Sequence, residues 1–141
     1  MDKLAKLQIF IGKEFTDSPS PFMRWLNPIV VSAEEGHLEF LYTVRAEWLN
    51  PMGNLHGGVT AAIMDDIIGA TMFSLNEKNF IVTVNNTIDY FSTAKENDEV
   101  LAEATIIKRG KQFVNAQCEI WNADKSRLIA KGTSNLFKIN N

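Results

Sequence analysis

Between Gly57 and Leu75 the chain is apolar or small almost all round, interrupted only by two adjacent carboxylates, Asp65 and Asp66. A helix that is apolar on every side belongs in a core. A carboxylate in such a place is costly unless something pairs with it or uses it. Ahead of this helix runs Asn50-Pro51-Met52-Gly53-Asn54-Leu55-His56-Gly57-Gly58. That glycine-rich lead-in bares backbone N–H groups at the positive end of the helix dipole. An anion-stabilising helix start followed two turns later by a buried carboxylate points to catalysis.

The rest of the chain has to cover this helix. At 141 residues it is one domain, large enough for a real hydrophobic core. A net charge of −3 argues against broad nucleic-acid binding, which needs a basic surface. The single cysteine, Cys118, excludes an internal disulfide and fits a reducing cytoplasm. Leu4, Leu7, Ile11 and Phe15 recur at helical spacing, with Asp2, Lys3, Lys6, Lys13 and Glu14 between them. The N-terminus therefore reads as an amphipathic helix packed on its own domain, not as a signal peptide. No apolar run is long enough to span a bilayer, and no membrane partner is expected.

Asp17-Ser18-Pro19-Ser20-Pro21 ends that first helix, and Ser20 with Pro21 predicts a short second one through Trp25. Residues 1–27 thus form an N-terminal helical segment, and 28–141 the main domain. Strands are expected over 29–34 and 37–45, joined at Glu34-Glu35-Gly36. After the central helix (57–75) come strands at 80–91, 98–109, 112–122 and 127–139. Lys108-Arg109-Gly110-Lys111 and the run from Asn122 to Ser126 supply hairpin turns. Val114, Ala116, Cys118 and Ile120 alternate with Phe113, Asn115, Gln117 and Glu119, the pattern of a half-buried strand. The class is α+β, with a curved antiparallel sheet around a buried helix. One sheet covers only one side of an all-round apolar helix, and the remainder must come from a second subunit or from the N-terminal helix, so a homodimer is expected on packing grounds.

At about 100° per residue, Ile63, Met64, Ile67, Ile68 and Leu75 form the bulky side of the helix. Asp65 falls in a stripe with Gly58, Ala61, Ala62, Gly69 and Met72, where small residues let a ligand or another backbone approach. Asp66 lies further round, between Phe73 and Val59, and reads as a structural partner for a buried polar group. Asp65 is therefore the candidate working carboxylate. A free N–H at Gly57 can bond a carbonyl oxygen as it gains charge in acyl transfer. His56 reads as an orienting residue at the helix start. Asn50 is either a loop residue making local backbone bonds or a second donor to the substrate carbonyl.

Thr83, Asn85, Thr87 and Asp89 give one side of the next strand an unusually polar character, which solvent exposure mostly explains; if the strand start faces the site, Thr83 can orient a water for Asp65. Lys108, Arg109 and Lys111 form a basic hairpin tip, either solvated surface or a hold for the phosphates of a nucleotide-bearing ligand. Cys118 falls on an apolar strand face and reads as core. With His37 in a strand turn and no ligand cluster, neither a metal nor another cofactor is expected. Phe22, Trp25 and Met64 are expected to contribute, with other residues, to a pocket.

Taken together, Asn50, Gly53, His56-Gly57-Gly58 and Asp65, followed by Thr83 and Tyr90, resemble the hotdog-fold acyl-CoA thioesterases of the phenylacetate-degradation (PaaI-like) type. Arg109-Gly110-Lys111 and Ala130-Lys131-Gly132-Thr133 extend the resemblance over residues 28–139. It implies an antiparallel sheet wrapped around a long helix, homodimers whose sheets join edge to edge, and often tetramers. It also implies roles. Gly57 N–H and Asn50 would polarise the thioester carbonyl, with Gly58 beside the substrate and His56 supporting the loop. Asp65 would act as general base or nucleophile, with Thr83 placing the water. Lys108, Arg109 and Lys111 are the candidates for the phosphates of coenzyme A. The other readings of such a fold are a hydroxyacyl dehydratase, whose histidine loop this chain lacks, and a non-catalytic acyl-CoA-binding module.

Overall fold

The computed structural model of the chain describes residues 2–140. Two short helices lead in: α1 (Lys3–Ile9), capped by Asp2, whose carboxylate accepts from Ala5 N at 2.7 Å, and α2 (Pro21–Leu26). Ser20 caps α2 by accepting from Met23 N at 3.1 Å, and Pro21 fills the first turn, where its missing N–H costs nothing. Six strands follow with one long helix among them. They are β1 (Ile29–Glu34), β2 (His37–Thr43), β3 (Phe80–Tyr90), β4 (Glu99–Arg109), β5 (Phe113–Asn122) and β6 (Leu128–Ile139), with α3 (Gly57–Phe73) before β3.

The strands form one antiparallel sheet in the order β1-β2-β4-β5-β6-β3. Helix α3 lies across β2 to β6, burying Ile63, Met64, Ile67 and Ile68 on that sheet. This is the α+β arrangement that the sequence pattern predicts and the hotdog fold that the resemblance implies. Its closeness is visible at Gly132 on β6, where a Cβ would stand 2.8 Å from Met64 Sδ and 3.1 Å from Thr87 O. The opposite stripe of α3 stays uncovered: Gly58, Asp65 and Gly69 are exposed, and Ala61 and Ala62 are half-buried. Met72, assigned to that stripe by its angle, is buried.

The first helix stops six residues short of its expected end at Phe15. From Ile11 the chain instead runs beside β1: Ile11 bridges Val30, Glu14 bridges Ile29, and Val30 N donates to Lys13 O at 3.0 Å. Strand β1 is a sheet edge whose open backbone groups need partners, and Gly12, at φ +84°, makes the bend. Leu7 and Phe15 are both buried all the same. Ile11, at the same spacing, is exposed, because the edge strand and not the helical period decides the backbone from there on.

Candidate active site

The loop leading into α3 is pinned at several points. Leu55 N donates to Ala94 O at 2.7 Å, and His56 N donates to Trp48 O at 2.8 Å. His56 caps the helix, its Nδ1 accepting from Gly58 N at 2.8 Å. That bond fixes the proton of the neutral ring on Nε2. It also occupies the Gly58 amide, so Gly58 cannot offer that donor to a ligand. Gly57 N–H has no acceptor among the described residues and points out of the helix start. Tyr90 Oη donates to Gly57 O at 3.0 Å and ties this end of α3 to β3.

Asn50 makes the local backbone bonds of the first reading. Its Oδ1 accepts from Met52 N (3.0 Å) and Asn54 N (3.1 Å), which closes the loop. With the carbonyl oxygen so employed the amide is oriented, and no acceptor among the described residues bonds its Nδ2. Gly53, at φ +80°, makes the tight turn inside this loop.

Two turns along α3, Asp65 is exposed, and its Oδ1 accepts from Thr83 Oγ1 at 3.2 Å and from Asn86 Nδ2 at 3.1 Å. Asn86 is a contact that sequence periodicity assigns to the wrong side of β3. Thr83 pairs with Leu136 and Asn85 with Asn135, which leaves Val84 as an extra residue. The bulge shifts the strand's phase by one. Ile81 and Thr83 face the helix before it, and Asn86, Ile88 and Tyr90 after it. Thr83 therefore does not share a face with Asn85, Thr87 and Asp89, as uninterrupted alternation predicts.

Asp66 behaves differently from expectation. It is half-buried, and its Oδ2 is buried without a hydrogen-bond partner. Burial, followed by the negative charge of Asp65, pushes its carboxyl up from 3.8 to about 7. Among the described residues no polar group pairs with that oxygen, so proton uptake meets the cost of its position. Nor does it stand apart from the cleft: Asp65 and Asp66 both line a cavity of about 330 Å³ between α3 and the N-terminal segment. Phe15, Met23, Met72, Phe73, Ile81 and Leu136 form its apolar walls.

Phe22, Trp25 and Met64 are not among those walls. On α2, Met23 and Leu26 point into the core, which turns Phe22 and Trp25 outward, stacked 5.8 Å apart. Trp25 is further held by the Arg45 guanidinium, which lies 4.6 Å from its ring and 4.7 Å from that of Trp48. Met64 faces the sheet and is fully enclosed.

At the β4–β5 hairpin the three cations separate. Arg109 bonds Glu77 Oε1 at 3.0 Å, Glu35 Oε1 at 3.2 Å and Leu75 O at 3.4 Å, so it braces the sheet against the end of α3. Lys108 and Lys111 are exposed, and no ion pair engages either among the described residues. Cys118 is completely buried, and burial holds its thiol far above the usual range, which suits packing and not attack. His37 Nε2 meets Glu103 Oε2 at 2.6 Å in a surface pair. Among the described residues no His, Cys, Asp or Glu cluster is arranged to hold a metal, and no helix is long and apolar enough to cross a membrane.

Comparison with known proteins converges on one group. The sequence profile of the thioesterase superfamily matches residues 52–129, the segment from the glycine loop to the start of β6. Human acyl-coenzyme A thioesterase 13 is 32% identical over 112 residues, covering 79% of this chain and 80% of that protein. A Streptococcus mutans UA159 protein, solved bound to acetyl CoA, superposes with a TM-score of 0.75 at 27% identity, covering 81% of this chain and 90% of that one. The Escherichia coli PaaI protein of the phenylacetic acid degradation operon shares the fold over 99% of this chain and 97% of its own, at a TM-score of 0.83 and 22% identity.

Proposed function

Because this chain belongs to the thioesterase superfamily, we propose that it hydrolyses acyl-CoA thioesters to a free acid and coenzyme A. The observation that carries the mechanism is a division of labour along α3. An unpaired N–H opens the helix at Gly57, and a carboxylate at Asp65 has one oxygen already bonded and the other free.

The thioester oxygen accepts from Gly57 N–H and Asn50 Nδ2, which stabilise the charge it gains. Asp65 Oδ2 takes a proton from water as the water oxygen attacks the carbonyl carbon. The tetrahedral intermediate collapses, the C–S bond breaks, and coenzyme A departs as a thiolate that takes up, directly or through solvent, the proton held by Asp65, which restores the carboxylate. A thiolate is a weaker base than an alkoxide, so the step needs no strong acid at the leaving group. Thr83 holds Asp65 and borders the water's approach. His56 keeps the loop and the helix start in register. The segment 1–27 contributes Phe15 and Met23 to the wall that receives the acyl group, and Lys108 and Lys111 attract the coenzyme A phosphates.

Within one chain these groups lie far apart for one compact site. Asp65 lies eight residues beyond Gly57, about 12 Å along the axis at 1.5 Å per residue. Donor and base must both stand about 3 Å from the reacting group. Two antiparallel copies of α3 put Asp65 of one chain beside Gly57 and Asn50 of the other. Strand β3 supports this assembly: it is a sheet edge, and it exposes Phe80, Val82, Val84 and Tyr90. An unpaired apolar edge is a pairing surface. The working form is therefore a homodimer with sheets joined through β3.

Release of free thiol from a panel of CoA thioesters tests the activity. Asp65→Asn should lower kcat at least about a hundredfold, and Asp66→Asn far less. Equal losses from both variants, with folding intact, would refute Asp65 as the base.

A further inference from the structure

We infer that Asn86 and Ser134 are positioning residues that decide which oxygen of Asp65 performs the chemistry. The inference rests on the thioesterase reading above and adds two residues to it.

Ser134 on β6 is completely buried, and its Oγ donates to Asn86 Oδ1 at 2.6 Å. Asn86 Nδ2 in turn donates to Asp65 Oδ1 at 3.1 Å. The polarity of this chain is dictated chemically. An ionised carboxylate only accepts, so the atom of Asn86 that faces it must be the NH₂. The amide oxygen then faces Ser134, which has a hydroxyl proton to give. Asn85 O, the other acceptor near that hydroxyl, is farther off at 3.2 Å. A second ladder on the outer face braces the same stretch: Asn135 Nδ2 donates to Asn85 Oδ1 at 3.0 Å, and Asn115 Nδ2 to Asn135 Oδ1 at 3.0 Å.

Thr83 and Asn86 thus both bond Oδ1, from either side of the bulge at Val84. Two donors on one oxygen restrain the carboxylate's rotation and leave Oδ2 as the proton acceptor. Without the bulge only one of the two could reach the helix face. Among the residues lining the cleft, Asp66 is the other titratable group beside Asp65. The side chains that reach Asp65 from β3 and β6, namely Thr83, Asn86 and Ser134 through Asn86, are uncharged.

The test is the pH dependence of kcat and kcat/KM in the intact protein for wild type, Asn86→Ala, Ser134→Ala and the double variant. Asn86→Asp, nearly isosteric, is the second probe of the same position should the alanine variant fail to fold. A donor to the ionised base favours its charged form. Losing it should move the acid limb to higher pH, lower the plateau of kcat about tenfold, and leave KM nearly unchanged. Asn86→Asp turns the donor into an acceptor and should move the limb further. Ser134 acts only through Asn86, so Ser134→Ala should shift the profile in wild type and add nothing in the Asn86→Ala background. An unmoved acid limb in both Asn86 variants overturns the inference, as do strictly additive losses. Asp65→Asn run alongside separates the two levels. If it retains activity, the assignment of the base fails. If it is dead while the Asn86 profiles match wild type, only the positioning role fails.

Discussion

Asp66→Asn should make the protein's stability less dependent on pH, with the gain appearing on the alkaline side. The Asp66 carboxyl sits at about 7 in the folded chain against 3.8 for the unperturbed group, because it is buried without a partner and lies beside Asp65. Between those values the folded state holds a proton that the unfolded state has lost. Stability conferred by that proton is greatest at low pH and declines as pH rises through about 7, the reverse of an ordinary salt-bridged aspartate. The displacement of about three pKa units, at 1.36 kcal/mol each, sets a ceiling of about 4 kcal/mol. Most of what falls between pH 5 and 8.5 is measurable, about 2 to 3 kcal/mol. Asparagine has the same shape and no charge, so it removes this term and leaves the packing. Urea unfolding at pH 5 and pH 8.5, at one fixed protomer concentration, reads the effect as the difference between variant and wild type. The variant should gain on wild type by about 2 to 3 kcal/mol between the two pH values, with m unchanged. A difference that stays constant with pH would refute the reasoning, because the carboxylate would then be ionised in both states throughout.

Two further outcomes are expected. Mixing Asn50→Ala subunits with Asp65→Asn subunits, each inactive alone, should restore about a quarter of wild-type activity once dimers re-form at random, with one intact site in each heterodimer; a mixture that stays dead despite verified exchange would place each site within one chain. Neutralising Lys108 and Lys111 together should raise KM for CoA thioesters more than for a short thioester lacking the nucleotide, and should weaken its salt dependence, whereas Arg109→Ala should lower thermal stability because it breaks the brace to Glu35 and Glu77. Equal KM effects on both substrates would make the two lysines ordinary surface.

Much of this molecule is legible from local pattern. The all-round apolar stretch from Gly57 announces the central helix, and its ends agree with α3 to within two residues. The turns at Gly36, Gly110 and the Asn122–Ser126 loop punctuate strands whose alternation is plain, and Ser20-Pro21 marks a helix start that forms where expected. These features depend on neighbours a few positions away, which is what periodicity and turn chemistry report. The tertiary structure decided the rest. The bulge at Val84 exists only relative to β6, and it alone brings Asn86 to Asp65 beside Thr83. Asp66 acquires its raised pKa from burial that no angle on a helical wheel discloses. Arg109 is captured by Glu35, 74 residues away in sequence, and by Glu77, 32 away. The first helix yields to an edge strand that needed a partner. In each case the outcome was set by a hydrogen bond or a desolvation cost between segments distant along the chain, and such terms take values only once the sheet's register has closed.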